Sequence, residues 1–358
     1  MADFSLYEHT NGQLNRLCRV LGFADGPLPG ELLGLLLGPA GASRLDESSE
    51  WPSGVSDDTT PVEFSIAFDA TGECAVRVLG ESVGVHPERK FLDVVAEWLG
   101  LRTGRFDAVQ DLFLPETAAG GFTLWYSLIF RADSRPQLKV YLNPQISGPE
   151  RADELVRMAL GRLGIARAYD SVAAAALGRP GRDRFSYFAL DLDDTPRSRV
   201  KLYVSHEGAE TADVVRAASL VPGVEPERIR EFCAISGAGN GPFSSRPLIS
   251  SYSFTGGDAV TPSSYSLYVP IRDYVADDEV ARARVLALMA QYDLDSTKLD
   301  RAIAAVSGRA LRDGVGLIPH VSLRLSPFGS GITVYLSSEA YSVLPPKRRS
   351  VLGLVPAG

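Results

Sequence analysis

Arg77, Lys139 and Lys201 stand 62 residues apart in this 358-residue chain. Tyr141 and Tyr203 follow two residues behind the two lysines, and Tyr268 and Tyr335 extend the series after further steps of 65 and 67 residues. Arg199 lies two residues before Lys201. Residues two apart in a strand point to the same face. Read as strands, Lys139-Val140-Tyr141 and Arg199-Val200-Lys201-Leu202-Tyr203 put cations and rings on one face and aliphatic side chains on the other. One such strand could be an ordinary solvated sheet surface, because Tyr favours strands. Its return in Cys74 to Leu79, in Tyr265-Ser266-Leu267-Tyr268 and in Ile332-Thr333-Val334-Tyr335 points to a site. Cations clustered on one wall repel each other unless an anion sits among them. Diphosphate carries the right charge, and Arg can hold it bidentately. Ring faces one step further along attract a cation by roughly 0.5–2 kcal/mol each. The chemistry that uses both is ionisation of an allylic diphosphate, with Lys and Arg holding the leaving group and Tyr keeping water from the carbocation.

The elements that carry these residues repeat as helix, helix, strand, strand, a period that marks internal duplication. Helical spacing over 5–22 and 31–37 precedes a loop at 45–60 and a hairpin from Pro61 to Phe68 and Glu73 to Leu79, turned at Asp69-Ala70-Thr71-Gly72. Pro87 opens a helix to about Gly100, and 105–113 forms another before strands Gly121–Arg131 and Gln137–Leu142, turned at Asp133-Ser134-Arg135-Pro136. Helices from Gly148 to Leu163 and Ala166 to Leu177 precede strands Phe185–Leu192 and Ser198–Val204, turned at Asp193 to Pro196. The fourth unit has helices near 209–220 and 225–236 and strands near 247–255 and 264–270, and the fifth has helices near 276–291 and 296–307 and strands near 317–325 and 331–337. The expectation is one α+β domain over 1–358, with repeats at about 1–80, 81–143, 144–205, 206–271 and 272–337 and a tail at 338–358. Short strand connections make each pair antiparallel. Ten such strands can close into a barrel, which removes exposed edges, with a ring of α-helices outside and a polar lumen within. An open sheet with one wet face is the alternative.

Apolar residues at 45% and charged residues at 22% are those of a globular protein with a core. A net charge of −8 argues against a nucleic-acid partner bound by global basicity. Three widely spaced cysteines, Cys18, Cys74 and Cys233, suggest neither a disulfide framework nor a zinc site, and point to a reduced, cytoplasmic protein. No run approaches the roughly 18 apolar residues of a membrane span. There is no phosphate-binding GxxxxGK[ST] loop and no aspartate-rich magnesium-diphosphate motif. Asp193-Asp194 and Asp277-Asp278 read as turn and N-cap residues.

Lys139-Val140-Tyr141, Arg199 to Tyr203 and Ser266-Leu267-Tyr268, with Pro61-Val62-Glu63-Phe64-Ser65 and Leu267 to Tyr274, resemble the bacterial branch of the aromatic (indole) prenyltransferases of the dimethylallyltryptophan synthase type, over roughly residues 55–340. The resemblance implies the ten-stranded ABBA (PT) barrel and dimethylallyl transfer from dimethylallyl diphosphate to tryptophan or a derivative in secondary metabolism. It implies no cofactor and no Mg2+ requirement. The partners are then two small molecules, with no nucleic acid and no membrane, and the chain is a monomer or homodimer. Tryptophan-containing cyclic dipeptides, indolactams and other aromatics are alternative acceptors. A non-catalytic barrel binding an anionic isoprenoid or nucleotide, and a solvated interaction module, are rivals of other classes. By the same resemblance Glu63 accepts the indole N–H and acts as general base. Arg77, Lys139, Arg199, Lys201, Ser266 and Arg324 hold diphosphate, and Tyr141, Tyr203, Tyr268 and Tyr335 form the carbocation shield. Fungal members that alkylate indole C4 carry a lysine on the strand before Lys139. Here that strand has Trp125 and Tyr126 and no lysine, which counts against C4. Trp125, Tyr126, Arg184 and His320 are expected at the acceptor pocket.

Overall fold

The computed structural model describes residues 4–23, 26–45, 52–82, 89–115, 121–132, 134–193, 195, 198–237, 239–256 and 260–347. Helices α1 (Leu6–Val20) and α2 (Leu28–Leu37) precede strands β1 (Val62–Asp69) and β2 (Cys74–Glu81). Helix α3 (Lys90–Leu99) and the one-turn segments α4 (Gly104–Asp107) and α5 (Gln110–Phe113) lead to β3 (Leu124–Arg131) and β4 (Gln137–Leu142). Helices α6 (Ala152–Arg162) and α7 (Arg167–Ala176) lead to β5 (Asp183–Asp191) and β6 (Val200–His206). Then come α8 (Thr211–Ala218), α9 (Pro226–Ser236), β7 (Leu248–Phe254) and β8 (Ser264–Val269), followed by α10 (Asp278–Gln291), α11 (Leu299–Val306), β9 (Val321–Ser326) and β10 (Gly329–Ser337).

All ten strands form one closed antiparallel barrel, with β1 joined to β10 from Glu63↔Ser337 to Asp69↔Gly331. The aliphatic face of each strand points outward. Phe64, Ile66, Val78, Leu128, Val140, Leu202, Leu267 and Val334 are fully buried between the sheet and the helices. The inverted arrangement, polar inside and apolar outside, follows from period-two alternation once the ring of helices supplies the apolar partner. A buried polar tie also lies on the outer face. His206 Nδ1 meets Asp183 Oδ1 at 2.8 Å, its Nε2 meets Ser250 Oγ at 2.9 Å, and Ser250 meets the Tyr265 hydroxyl at 2.7 Å. Ser250 has no exposed surface, so this Asp-His-Ser succession binds β5 to β8 and offers no nucleophile.

Several expectations need correction. The helix over 105–113 is broken at Ala108 and Val109, where Val109 turns inward to full burial at φ −127°. Helix α2 begins at Leu28, ahead of the apolar run, because Pro27 and Pro29 suit a first helical turn. The Pro87 start, Asp133, Asp194 and Pro196 lie outside the described residues. Asp277 caps α10 as expected, accepting from the Val280 N–H at 3.0 Å. Asp278 does more than cap. Fully buried, it accepts from the N–H groups of Gly316, Leu317 and Ile318 at 3.0–3.2 Å and pairs with Arg309. It thereby fixes the segment that enters β9. Asp278→Ala is expected to cost about 3–5 kcal/mol, since it leaves three N–H groups and a guanidinium short of an acceptor. An unchanged denaturant midpoint would rule this anchoring role out.

Candidate active site

The barrel's register gives each of Tyr141, Tyr203, Tyr268 and Tyr335 one small neighbour. Tyr141 faces Ala189, Tyr203 faces Ser251, Tyr268 faces Ser322 and Tyr335 faces Ser65. On the other ladder Tyr141 meets Trp125, Tyr203 meets Tyr187 and Tyr268 meets Ile249. The small partners leave space for the rings to lean across the lumen. The result is a continuous belt with ring centroids 5.8, 5.9 and 6.0 Å apart from Tyr141 through Tyr203 and Tyr268 to Tyr335. Burial pushes the Tyr141, Tyr203 and Tyr335 hydroxyls well above the usual phenol range, so these rings stay neutral.

The belt separates two chambers that share its four rings and Leu79. On one side Arg77, Arg131, Lys139, Arg199, Lys201 and Arg324 line the wall, with Ser266 among them. Among the described residues, Asp69 and Glu73 oppose them there, with Asp191 and Asp193 at the adjoining mouth. Asp191 sits inside the cluster, 2.6 Å from Arg199 Nε and 3.5 Å from Lys139 Nζ. Burial would raise its carboxyl, but Lys139 and Arg199 outweigh that and hold it well below the usual carboxylate range. Burial pushes the Lys139 ammonium down to about 7, with Arg199 and Arg77 adding to the fall and Asp191 opposing it. Burial, then Lys139, Arg199 and Arg77, push Lys201 well below its ordinary value. The two ammonium groups lie 5.8 Å from the Tyr141 ring centre and 5.2 Å from that of Tyr203. An anion here would offset the burial and the mutual repulsion that now disfavour both ammonium charges. Gly331 keeps room for Arg324, since a Cβ there would lie 3.2 Å from its Nη2.

Beyond the belt lies a cavity of about 390 Å³ lined by Trp125, Tyr187, Ile249, Glu63, His320, Asp57 and Arg246. Phe122 stacks on Trp125 at 4.1 Å, and Tyr187 lies 5.8 Å from the Trp125 ring. Burial, with Asp57 adding and Arg246 opposing, pushes the Glu63 carboxyl up to about 8. Burial and then Arg246 and Arg272 push His320 down to about 3, so its imidazole is neutral. This flat aromatic slot with a carboxyl at its end suits a planar heteroaromatic with one N–H.

The structure brings together Glu63, the four tyrosines, Arg77, Lys139, Arg199, Lys201, Ser266 and Arg324 in the lumen, with Trp125 and His320. It does not bring Tyr126 there. Consecutive strand residues face opposite ways, so Tyr126 points outward, edge-on to Phe91 of α3 at 4.6 Å. Arg184 also misses the chambers: it lies at the rim of β5 and pairs with Glu207 at 2.8 Å. Tyr187, Arg131, Asp191, Asp57 and Arg246 were missed. Arg131 and Asp191 end strands whose alternation was legible, and counting inward positions would have found both. Tyr187 follows a bulge at Phe185/Tyr187 that disturbs simple alternation. Among the described residues no group of three or more His, Cys, Asp or Glu could hold a metal ion, and no helix is long and apolar enough to cross a membrane.

A protein family described as tryptophan dimethylallyltransferase matches residues 33–301 of the chain. The 6-dimethylallyltryptophan synthase of Micromonospora olivasterospora, solved in complex with DMASPP and Trp, is 52% identical, with 96% of this chain and 100% of that one covered at a TM-score of 0.91. The prenyltransferase PriB, solved with L-tryptophan and dimethylallyl thiolodiphosphate, is 38% identical, covering 96% and 99% at a TM-score of 0.88. The 5-dimethylallyl tryptophan synthase of Streptomyces coelicolor, in complex with DMASPP and Trp, is 34% identical, covering 99% and 100% at 0.87. With the family match spanning most of the barrel and these identities running over nearly the whole length, the chain belongs to the tryptophan dimethylallyltransferase family.

Proposed function

We propose that the chain transfers a dimethylallyl group from dimethylallyl diphosphate to the indole ring of L-tryptophan. The observation that carries this reading is the tyrosine belt standing between a cation-lined chamber and an aromatic slot that ends in Glu63. The donor's diphosphate lies among Arg77, Lys139, Arg199, Lys201, Ser266 and Arg324, and its allylic carbon reaches the belt. The C–O bond breaks and its electron pair leaves with the diphosphate, whose charge is met by preorganised cations. The carbocation is held against the ring faces of Tyr141, Tyr203, Tyr268 and Tyr335. An indole carbon donates its π pair to form the new C–C bond, with proximity in the closed lumen supplying much of the acceleration. Ionised Glu63 accepts the indole N–H, and it or a water it orients removes the arenium proton, restoring aromaticity. The Lys and Arg side chains supply the charge neutralisation that magnesium supplies elsewhere, which supports turnover without metal or other cofactor. Greater identity to a protein named a 6-dimethylallyltryptophan synthase than to one named for position 5 supports alkylation at C6. Three unpaired cysteines support a reducing, cytoplasmic setting.

The test is incubation with dimethylallyl diphosphate and L-tryptophan in EDTA. A product heavier by one prenyl unit, with NMR placing it at C6, is expected. No product from tryptophan in the presence or absence of magnesium would overturn the reading, and product formed with magnesium alone would overturn metal independence.

A further inference from the structure

A chamber that binds diphosphate gains no affinity from a carboxylate, yet Asp191 stands against two of its cations. It ends β5 directly across the ladder from Lys139. Its Oδ2 accepts from Arg199 Nε at 2.6 Å and from the Arg199 backbone N–H at 3.2 Å. Its Oδ1 lies 3.3 Å from Arg199 Nη2 and 3.5 Å from Lys139 Nζ. Its own N–H donates to the Arg199 carbonyl at 3.1 Å. These bonds fix the carboxylate in place, and Lys139 and Arg199 keep it ionised. Asp69 makes a different kind of contact. It lies 4.0 Å from Arg324 and keeps 31% of its side chain exposed, against 18% for Asp191. An exposed pair at that distance contributes little.

Asp191 also stands on a route out. It lines the outer mouth, a cavity of about 1120 Å³, and Arg131, Arg199 and Arg324 line both this mouth and the chamber. The turn between β3 and β4 and Phe328 of the turn between β9 and β10 form part of its rim. The aromatic slot lies on the far side of the tyrosine belt. Diphosphate that leaves without crossing the belt therefore passes Asp191. Every turnover must end in that departure. C–O cleavage leaves more negative charge on the diphosphate than the ester carried, so a wall of cations alone would hold the product harder than the donor. A fixed carboxylate works against this in two ways. It repels an anion more strongly the greater the anion's charge. It also gives Arg199 and Lys139 a counter-charge once diphosphate has gone, so the two cations are not left facing each other unpaired.

Resting on the dimethylallyl diphosphate reading above, we propose that Asp191 is a product-release residue: it competes with diphosphate for Arg199 and Lys139 and so favours exit of the product through the outer mouth.

The test titrates inorganic diphosphate calorimetrically into the full-length protein, with no acceptor present. Asp191→Asn keeps the size and one acceptor oxygen but loses the charge. It is expected to bind inorganic diphosphate about 10- to 100-fold tighter than wild type, with a smaller gain for dimethylallyl diphosphate. Asp191→Glu keeps the charge and should stay near wild type. In turnover with tryptophan, kcat of Asp191→Asn should fall while its first turnover, read by rapid quench, is no slower than that of wild type. A burst of product then precedes a slow steady state. A carboxylate that only orients Arg199 and Lys139 predicts the opposite sign. Weaker or unchanged diphosphate binding by Asp191→Asn would therefore overturn the proposal. If Asp191→Asn does not fold alone, refolding with inorganic diphosphate should restore it, because the anion replaces the missing counter-charge; a variant that stays unfolded with diphosphate present would also overturn the proposal. The titration does not depend on turnover, so absence of product from tryptophan with the diphosphate ranking intact would strike the reaction and not the release role.

Discussion

Glu63→Gln is expected to lose about 10²- to 10⁴-fold in kcat with little change in donor KM, the range for removal of a positioned general base. The same substitution is expected to stabilise the fold. Glu63 is buried at the lumen end of β1, and burial with the nearby Asp57 charge holds its pKa at about 8 against an ordinary 4.5. Between those values the folded protein retains a proton that the unfolded chain has released. Stability therefore falls as pH rises through that window. Gln carries no such penalty, so the stability gap between Glu63→Gln and wild type should widen from about pH 4.5 to about pH 8 and then level off. Activity runs the other way. The indole N–H and the arenium proton both need the ionised carboxylate, so wild-type kcat/KM should climb through about pH 8. Denaturant melts and rate profiles on the same pH series check both limbs. Full turnover in Glu63→Gln would remove Glu63 from the mechanism, and a flat stability difference would rule out its burial-raised pKa.

How far the lumen was legible depended on alternation. Lys139 and Tyr141, or Lys201 and Tyr203, sit two apart in uninterrupted strands. Their common face followed from backbone geometry before any tertiary contact was known. Closure of the barrel was the preferred reading over an open sheet for a related reason: five hairpins in one closed ring leave no exposed edge. Tyr126 shows the limit of reading motifs without parity. It stands beside Trp125 in sequence, yet the same alternation that placed Lys139 inside sends it outside to Phe91.

What stayed hidden came from segments without periodicity. Asp57 lies in a loop and Arg246 precedes β7, and no spacing rule links two residues 189 apart that meet at the end of the cavity. Asp191 was visible as a residue but not as a partner. Clustered cations call for an anion, and the chain itself supplies part of that counter-charge beside Arg199 and Lys139. A counter-charge at that place also lowers the repulsion among these cations. Asp278 was legible as a helix-start residue because caps are local, whereas its grip on Gly316 to Ile318 depends on β9 returning to α10.

Lys139→Met should produce the second paired effect, a loss in donor use coupled to a gain in stability without donor. One charge-assisted contact to phosphate is worth about 10- to 100-fold in donor kcat/KM, and Lys139→Met with Lys201→Met should approach 10³-fold while tryptophan binding changes little. Burial holds the Lys139 ammonium at about 7 against an ordinary 10.5. Below about pH 7 both folded and unfolded chains carry the charge, so the folded state bears the whole burial penalty there. Stability recovers as pH rises from about 7 toward 10.5, where the unfolded chain also loses its proton. The methionine variant should therefore exceed wild type most clearly at or below neutral pH. Asp191 keeps Arg199 as its partner in that variant, so the gain is not cancelled by a stranded carboxylate. Diphosphate reverses the balance by raising the Lys139 pKa, so donor binding above pH 7 must take up protons and weaken as pH increases. Calorimetry of donor binding in buffers of different ionisation enthalpy reads the proton count directly. Binding with no proton uptake at pH 8, or an unchanged donor KM in Lys139→Met, would place the diphosphate elsewhere. The sign of the effect also separates function from fold: a lysine kept only for structure would not make its own removal stabilising.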